Sequence, residues 1–165
     1  MGMDVYGTAP TSGAGEYFRN NVWWWRPLAD YVTTAHADLT SGCQYWHSND
    51  GDGLDGPAAA ALGEALENDL TSGRAKDYAD AYTARLDALP LEPCTYCNAT
   101  GVRTDAVGKQ LGLDTPRDPE TGRGGCNGCS GTGQVQSWEC SYPFEVENVA
   151  EFARFLKASG GFSIC

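Results

Sequence analysis

The chain has 165 residues, 41% of them hydrophobic, with 22 Asp/Glu against 11 Lys/Arg and a formal net charge of −11. That length and composition fit one globular domain and exclude a collagen-like or wholly disordered polymer, while 21 glycines argue against a simple helical bundle. The acidity opposes attraction to a phosphate backbone or an anionic membrane surface, so nucleic acid is a disfavoured partner and a membrane is not expected.

In chain order, Met1 to Tyr6 alternate well enough for a short strand, and the Gly/Pro/Ser-rich stretch Gly7 to Gly15 reads as a loop. A second strand is predicted over Tyr17 to Trp25. Pro27 suits a first helical position, and Leu28, Tyr31, Val32 and Ala35 follow at helical spacing, which predicts a helix over 27–38. Turn formers dominate from Thr40 to Gly56. Pro57 then opens a helix with Leu62, Ala65, Leu66 and Leu70 on one face and Gly73 as its stop. Another helix carries Tyr78, Ala81, Tyr82, Arg85, Leu86 and Leu89 and ends at Pro90.

Residues 91–133 form an island rich in Gly, Cys, Thr and Asp with few large aliphatics, too polar to bury a core of its own. Beyond it, Gln134 to Trp138 and Tyr142 to Glu147 read as strands that could pair as a hairpin, with Pro143 limiting the second to an edge or an end. Asn148 with Glu151 resembles a capping box, and Val149, Phe152, Ala153 and Leu156 give the following helix its apolar face up to Gly160 and Gly161. Phe162 to Cys165 return as a terminal strand. The expectation is a single α+β domain, 1–165, with about four helices, a small antiparallel or mixed sheet, and 91–133 as a subdomain within it.

Two segments of the island repeat one pattern. Cys94-Thr-Tyr-Cys97-Asn-Ala-Thr-Gly101 and Cys126-Asn-Gly-Cys129-Ser-Gly-Thr-Gly133 are both C-x-x-C-x-x-T-G, and the 28 residues Asn98 to Gly125 separate the two C-x-x-C pairs. Each C-x-x-C turn lets two thiolates converge on an ion, and two such turns complete a tetrahedral four-sulfur site. Cys94, Cys97, Cys126 and Cys129 are therefore the predicted ligands of one structural Zn²⁺. The 28-residue insert is expected to run out and back as a long hairpin or loop. Structural zinc contributes about 10 to 16 kcal/mol in small peptides, enough to order a segment without a core. Nothing at the start of the chain reads as a signal peptide, no apolar run is long enough to span a bilayer, and the thiolate pairs fit a reducing compartment, so the expected location is cytoplasmic.

These segments resemble the cysteine-rich zinc-binding region of DnaJ-type co-chaperones, whose repeat is C-x-x-C-x-G-x-G. Cys126 to Gly133 matches that repeat in full, whereas Cys94 to Gly101 has Ala99 where the family has Gly, which implies a less permissive first turn. The resemblance covers Cys94 to Gly133, about 40 of 165 residues, and includes two repeats of the family's four, implying one zinc ion rather than two. The chain has no His-Pro-Asp tripeptide, so the resemblance carries the metal site and not the stimulation of a chaperone ATPase.

Other features have both a structural and a functional reading. Trp23, Trp24 and Trp25, followed by Arg26, would put indoles on both faces of a strand. Together with Trp46 they are candidates for a partner surface or for stacking a small nucleotide, against the plainer reading of core packing. The loop His47-Ser48-Asn49-Asp50-Gly51-Asp52-Gly53-Leu54-Asp55 could hold a divalent cation between Asp50, Asp52 and Asp55 with His47 as a base, or could supply a turn and a helix cap before Pro57. An EF-hand register fails, because Ala59 stands where the bidentate Glu belongs. His36 fits the C-terminal end of its helix, and Cys140 and Cys165 read as small buried hydrophobes.

Residues 1–90 carry 13 Asp/Glu against 5 Lys/Arg, which suits a solubilising surface or a face for a basic partner. The favoured reading is a small acidic zinc-binding protein that serves as a protein-interaction module or inhibitor, a form that phage or mobile-element accessory proteins take. The alternative is a metal-dependent hydrolase or nucleotide-handling protein built on His47, Asp50, Asp52 and Asp55. An RNA-binding role for Arg103, Lys109, Arg117 and Arg123 is disfavoured by the net negative charge of their segment.

Overall fold

The computed structural model describes residues 2–165; Met1, the first residue of the first expected strand, lies outside the described residues. In chain order the elements are β1 (Gly2–Gly7), β2 (Tyr17–Asn21), α1 (Val22–Ala35), α2 (Ala37–Thr40), β3 (Gly53–Asp55), α3 (Gly56–Ser72), α4 (Arg74–Asp87), β4 (Glu92–Pro93), α5 (Ala106–Gln110), β5 (Gln134–Val135), α6 (Val146–Ser159) and β6 (Gly161–Ile164). Single 3₁₀ turns lie at Gly13–Gly15 and Trp138–Ser141. The fold is α+β, as composition and patterning imply. The chain forms two compact units, one built from the residues up to Leu86 with Ser141–Cys165, the other from Asp87–Cys140.

The first unit is a four-stranded antiparallel sheet, in the order β2-β1-β6-β3, covered by helices. Period-two alternation aims Met3 and Val5 of β1 and Phe18 of β2 into the core, and the register sets Val5 opposite both Phe18 and Ile164, with Leu54 opposite Phe162. The terminal strand thus occupies the middle of the sheet. On the helical side, Val149, Phe152, Ala153, Phe155 and Leu156 of α6 and Ala59, Leu62 and Leu66 of α3 are buried. Each large apolar side chain so placed contributes about 1.5 to 3 kcal/mol.

Helices α3 and α6 approach closely where Gly63 faces Ala153 and Leu156. A Cβ at that position would stand 3.2 Å from both the Ala153 carbonyl oxygen and the Leu156 Cβ, and 2.7 Å from the Lys157 Cγ. Phe152 centres an aromatic cluster, with ring centroids 5.1 Å from Phe18, 5.8 Å from Trp25 and 6.1 Å from Phe162.

Four expectations are corrected. The second strand ends at Asn21 rather than Trp25, because the Asn21 side chain accepts hydrogen bonds from the Trp23 and Trp24 N–H groups and starts α1 there. Trp25 then heads the stripe Trp25, Leu28, Ala29 and Val32, and Pro27 sits inside the helix. Gln134–Val135 pairs with Glu92–Pro93, not with Tyr142 to Glu147. That latter stretch is irregular up to Glu145, buries Phe144 against Tyr31 and Tyr78, and enters α6 two residues before Asn148. The supposed capping box is therefore interior to the helix.

Candidate metal centre and surrounding sites

In the second unit the ladder of β4 and β5 brings the ends of the cysteine segments together, so that Cys94 directly follows β4 and Gly133 directly precedes β5. The two segments then hold each other by reciprocal main-chain bonds. The Cys94 N–H donates to the Gly133 carbonyl at 2.9 Å and the Cys126 N–H to the Gly101 carbonyl at 2.8 Å. Within each segment a threonine hydroxyl closes the turn, Thr100 onto the Cys97 carbonyl at 2.6 Å and Thr132 onto the Cys129 carbonyl at 2.7 Å. Two copies of one sequence pattern have become two copies of one turn.

The turns need left-handed backbone. Gly101 and Gly133 lie at φ +75° and +79°, Asn98 and Ser130 at +49° and +52°, and Ala99 at +64° matches Gly131 at +83°. Ala99 therefore adopts the left-handed conformation that the second segment reaches with glycine, at a cost of about 1 kcal/mol. Tyr96 of the first segment lies against Gly128 of the second, leaves 63% of its surface exposed, and carries the Arg103 guanidinium 5.2 Å from its ring centroid.

All four sulfurs are buried and lie within 4.8 Å of one another. The Cys94 and Cys126 sulfurs are 3.8 Å apart, and those of Cys97 and Cys129 are 3.7 Å apart. Those separations exclude a disulfide, and they equal the spacing of about 3.8 Å that four thiolates take when each stands about 2.3 Å from one tetrahedral ion. Burial pushes the Cys94 thiol up to about 11. Burial also opposes ionisation of Cys129, but the Gly133 N–H, donated to its sulfur at 3.2 Å, leads the hydrogen bonds that outweigh it and bring this thiol down to about 7. The set is positioned to bind one metal ion, and an ion there closes the one buried hydrophobic cluster of this unit among the described residues.

The other candidates are placed differently. Trp25 and Trp46 are core, stacked with centroids 6.3 Å apart and joined by the Trp25 Nε1–H donating to the Trp46 carbonyl at 2.6 Å. Neither is available to a partner, because α1 turns Trp25 inward with Leu28 and Val32 and Trp46 packs into the same core. Trp23 and Trp24 remain 45% and 40% exposed; Trp23 lies 4.8 Å from the Tyr142 ring, over which Arg26 also sits at 5.9 Å.

The acidic loop does not gather its side chains into a cation site. Asp52 accepts from the Gln44, Tyr45 and Gly53 N–H groups, Asp55 caps α3 through the Ala58 N–H, Asp50 accepts from the Ser48 hydroxyl, and His47 faces Asp30 at 3.1 Å. A cavity of about 530 Å³ includes Cys43, Trp46 and His47 in its lining but none of Asp50, Asp52 and Asp55. Among the described residues the four cysteines are the one group of three or more His, Cys, Asp or Glu side chains close enough to hold a metal. Cys165 is exposed rather than a buried hydrophobe, whereas Cys43 is buried, and burial beside Asp52 pushes its thiol up to about 12.

A buried polar cluster escaped sequence reasoning. Asp69 accepts from the Tyr31 hydroxyl at 2.5 Å, lies 2.8 Å from His36 Nε2 and takes the Arg74 guanidinium at 3.3 Å. Burial, then the bond to Asp69, raises the Tyr31 hydroxyl above the usual tyrosine range. His36 thus serves Asp69 of α3 in addition to ending α1. Tyr31 and His36 stand 38 and 33 positions from Asp69, and no local pattern announces those two bonds.

No helix among the described residues is long and apolar enough to cross a membrane. Compared with known protein families, with curated proteins and with solved structures, the chain finds no match.

Proposed function

We propose that the protein is a zinc-binding interaction module of the cytoplasm, in which the ion fixes a recognition surface and takes no part in chemistry. The observation that carries this reading is the gathering of four buried sulfurs within 4.8 Å of one another, two pairs of them at the edge length of a tetrahedral thiolate site. Four protein ligands leave no open position for water or substrate, which is the pattern of a structural zinc rather than a catalytic one. Sulfur-only ligation favours zinc over harder divalent ions. In the same unit Tyr96, Val107 and Leu111 are exposed, apolar surface that a partner can cover. The kinship with half of a DnaJ-type cysteine-rich finger belongs to the same proposal, restricted to the metal centre.

Native mass spectrometry of the full chain should show one zinc per molecule, lost on replacing Cys126 with Ser. Partner capture by the tagged wild type and by Cys126→Ser should then differ, with specific partners retained only by the metal-loaded protein. A set of captured proteins unchanged by loss of the ion would overturn the reading.

A further inference from the structure

A cavity of about 530 Å³ in the first unit is lined by Gly2, Arg19, Asn20, Asn21, Trp24, Glu145, Glu147, Asn148 and Glu151. Its chemistry is lopsided toward hydrogen-bond acceptors. The Asn148 side chain donates its Nδ2–H to the Trp24 carbonyl at 3.3 Å, which turns its Oδ1 toward Asn20, and the Asn20 Nδ2–H donates to that oxygen at 2.6 Å. Both amide orientations follow from this chain of donors. It leaves Asn20 Oδ1 with no donor among the described residues, on a side chain only 6% exposed that lines the cavity. The oxygen keeps access to the cavity, where water meets it or an N–H from outside can take the water's place.

The rest of the lining states what kind of N–H. Glu145, Glu147 and Glu151 are exposed at the rim, and neither Glu145 nor Glu147 receives a side-chain hydrogen bond or ion pair from a described residue. Glu151 has only a long, exposed contact with Arg154 at 4.0 Å. Arg19 is the one cation in the lining, and its Nε lies 3.5 Å from Asp4. Trp24 adds a half-exposed indole. A phosphate or carboxylate would meet three glutamates here, whereas a guanidinium offers several N–H donors for the amide oxygen and carboxylates, with a flat face suited to the indole.

We infer that this cavity receives the guanidinium of an arginine side chain presented by a basic segment of a partner protein. The inference rests on reading the molecule as an interaction module and names the chemistry of its partner, consistent with the net charge of −11. A single exposed carboxylate adds little affinity, so the charge selectivity comes from the glutamates acting together, with the indole face and the amide oxygen fixing the orientation of the group.

The test titrates the zinc-loaded full chain with the peptide Ac-Ala-Arg-Ala-NH2, its citrulline counterpart, which is neutral and nearly isosteric, and agmatine, a free guanidinium, following tryptophan fluorescence and calorimetry. The arginine peptide should bind saturably, more tightly than agmatine, and at least tenfold more tightly than the citrulline peptide. Trp24→Ala, and separately the exposed pair Glu147→Gln with Glu151→Gln, should each raise the dissociation constant about tenfold or more, with unchanged near-ultraviolet circular dichroism as the check on folding. Equal binding of the citrulline peptide, binding of agmatine but not of the peptide, no saturable binding, or indifference to the folded glutamate variant would each overturn the inference. Metal-dependent partner capture with no guanidinium binding would sink the cavity proposal alone. Guanidinium binding without metal-dependent capture would sink the zinc-module reading and leave the cavity standing.

Discussion

Asp69 shows most sharply what one residue can decide. Its carboxylate is 4% exposed and answers three groups from two other segments, Tyr31, His36 and Arg74. Replacing it with Ala strands a buried hydroxyl and an imidazole together, so Asp69→Ala should lower unfolding free energy by about 3 kcal/mol or more in urea denaturation. Tyr31→Phe, which removes one bond and keeps the ring packing, should cost only about 1 kcal/mol. Asp52 offers a test by pH. Three main-chain N–H groups, Tyr45 first, hold its carboxyl below the usual aspartate range. A depressed folded value adds stability above the ordinary value of about 3.9 and loses it as pH falls through the folded one. The thermal midpoint of Asp52→Asn should therefore lie below that of the wild type at pH 7, and the gap should narrow as the pH drops below about 4. The sequence left Asp52 open between a cation ligand and a turn-former, and it gave no sign of the partners of Asp69, two of which lie more than 30 positions away.

At the scale of elements, most helices declared themselves through spacing and caps. α3 runs from the Asp55 cap to a left-handed Gly73, and α6 ends at a left-handed Gly160, as turn chemistry implies. α1 is the instructive exception. Three consecutive tryptophans favour a strand by propensity, and Pro27 looks like a first helical position. Against these, the Asn21 cap together with burial of Trp25 in line with Leu28 and Val32 makes a helix five residues earlier. The cysteine turns repay the same scrutiny. Since Ala99 sits at φ +64°, Ala99→Gly should relieve strain and raise the stability of the metal-loaded second unit by about 0.5 to 1 kcal/mol, measured by thermal unfolding at fixed zinc. A fall in stability would mean that the alanine methyl makes packing contacts worth more than the strain.

For the whole molecule, the two units differ in what orders them. The first has a core of aromatic and aliphatic side chains, while the buried hydrophobic cluster of the second consists of its four cysteines with Val135 alongside. Chelation should therefore remove hydrogen-exchange protection from Asp87–Cys140 and leave the helices α3 and α6 protected. Protection that persists in the second unit without metal would contradict the ion's structural role. By itself the sequence determined the α+β class, the long helices and the four cysteines positioned to bind a metal, because those depend on local periodicity, turn residues and the fixed reach of a C-x-x-C turn. Only the tertiary structure decided which tryptophans are buried, that β5 pairs with β4, that the acidic loop spends its carboxylates on its own main chain, and that Asn20, Trp24 and the α6 glutamates share one cavity. Each of those outcomes depends on contacts between residues far apart in the chain, whose desolvation and hydrogen-bond costs are settled only once the sheet and helices have closed around them.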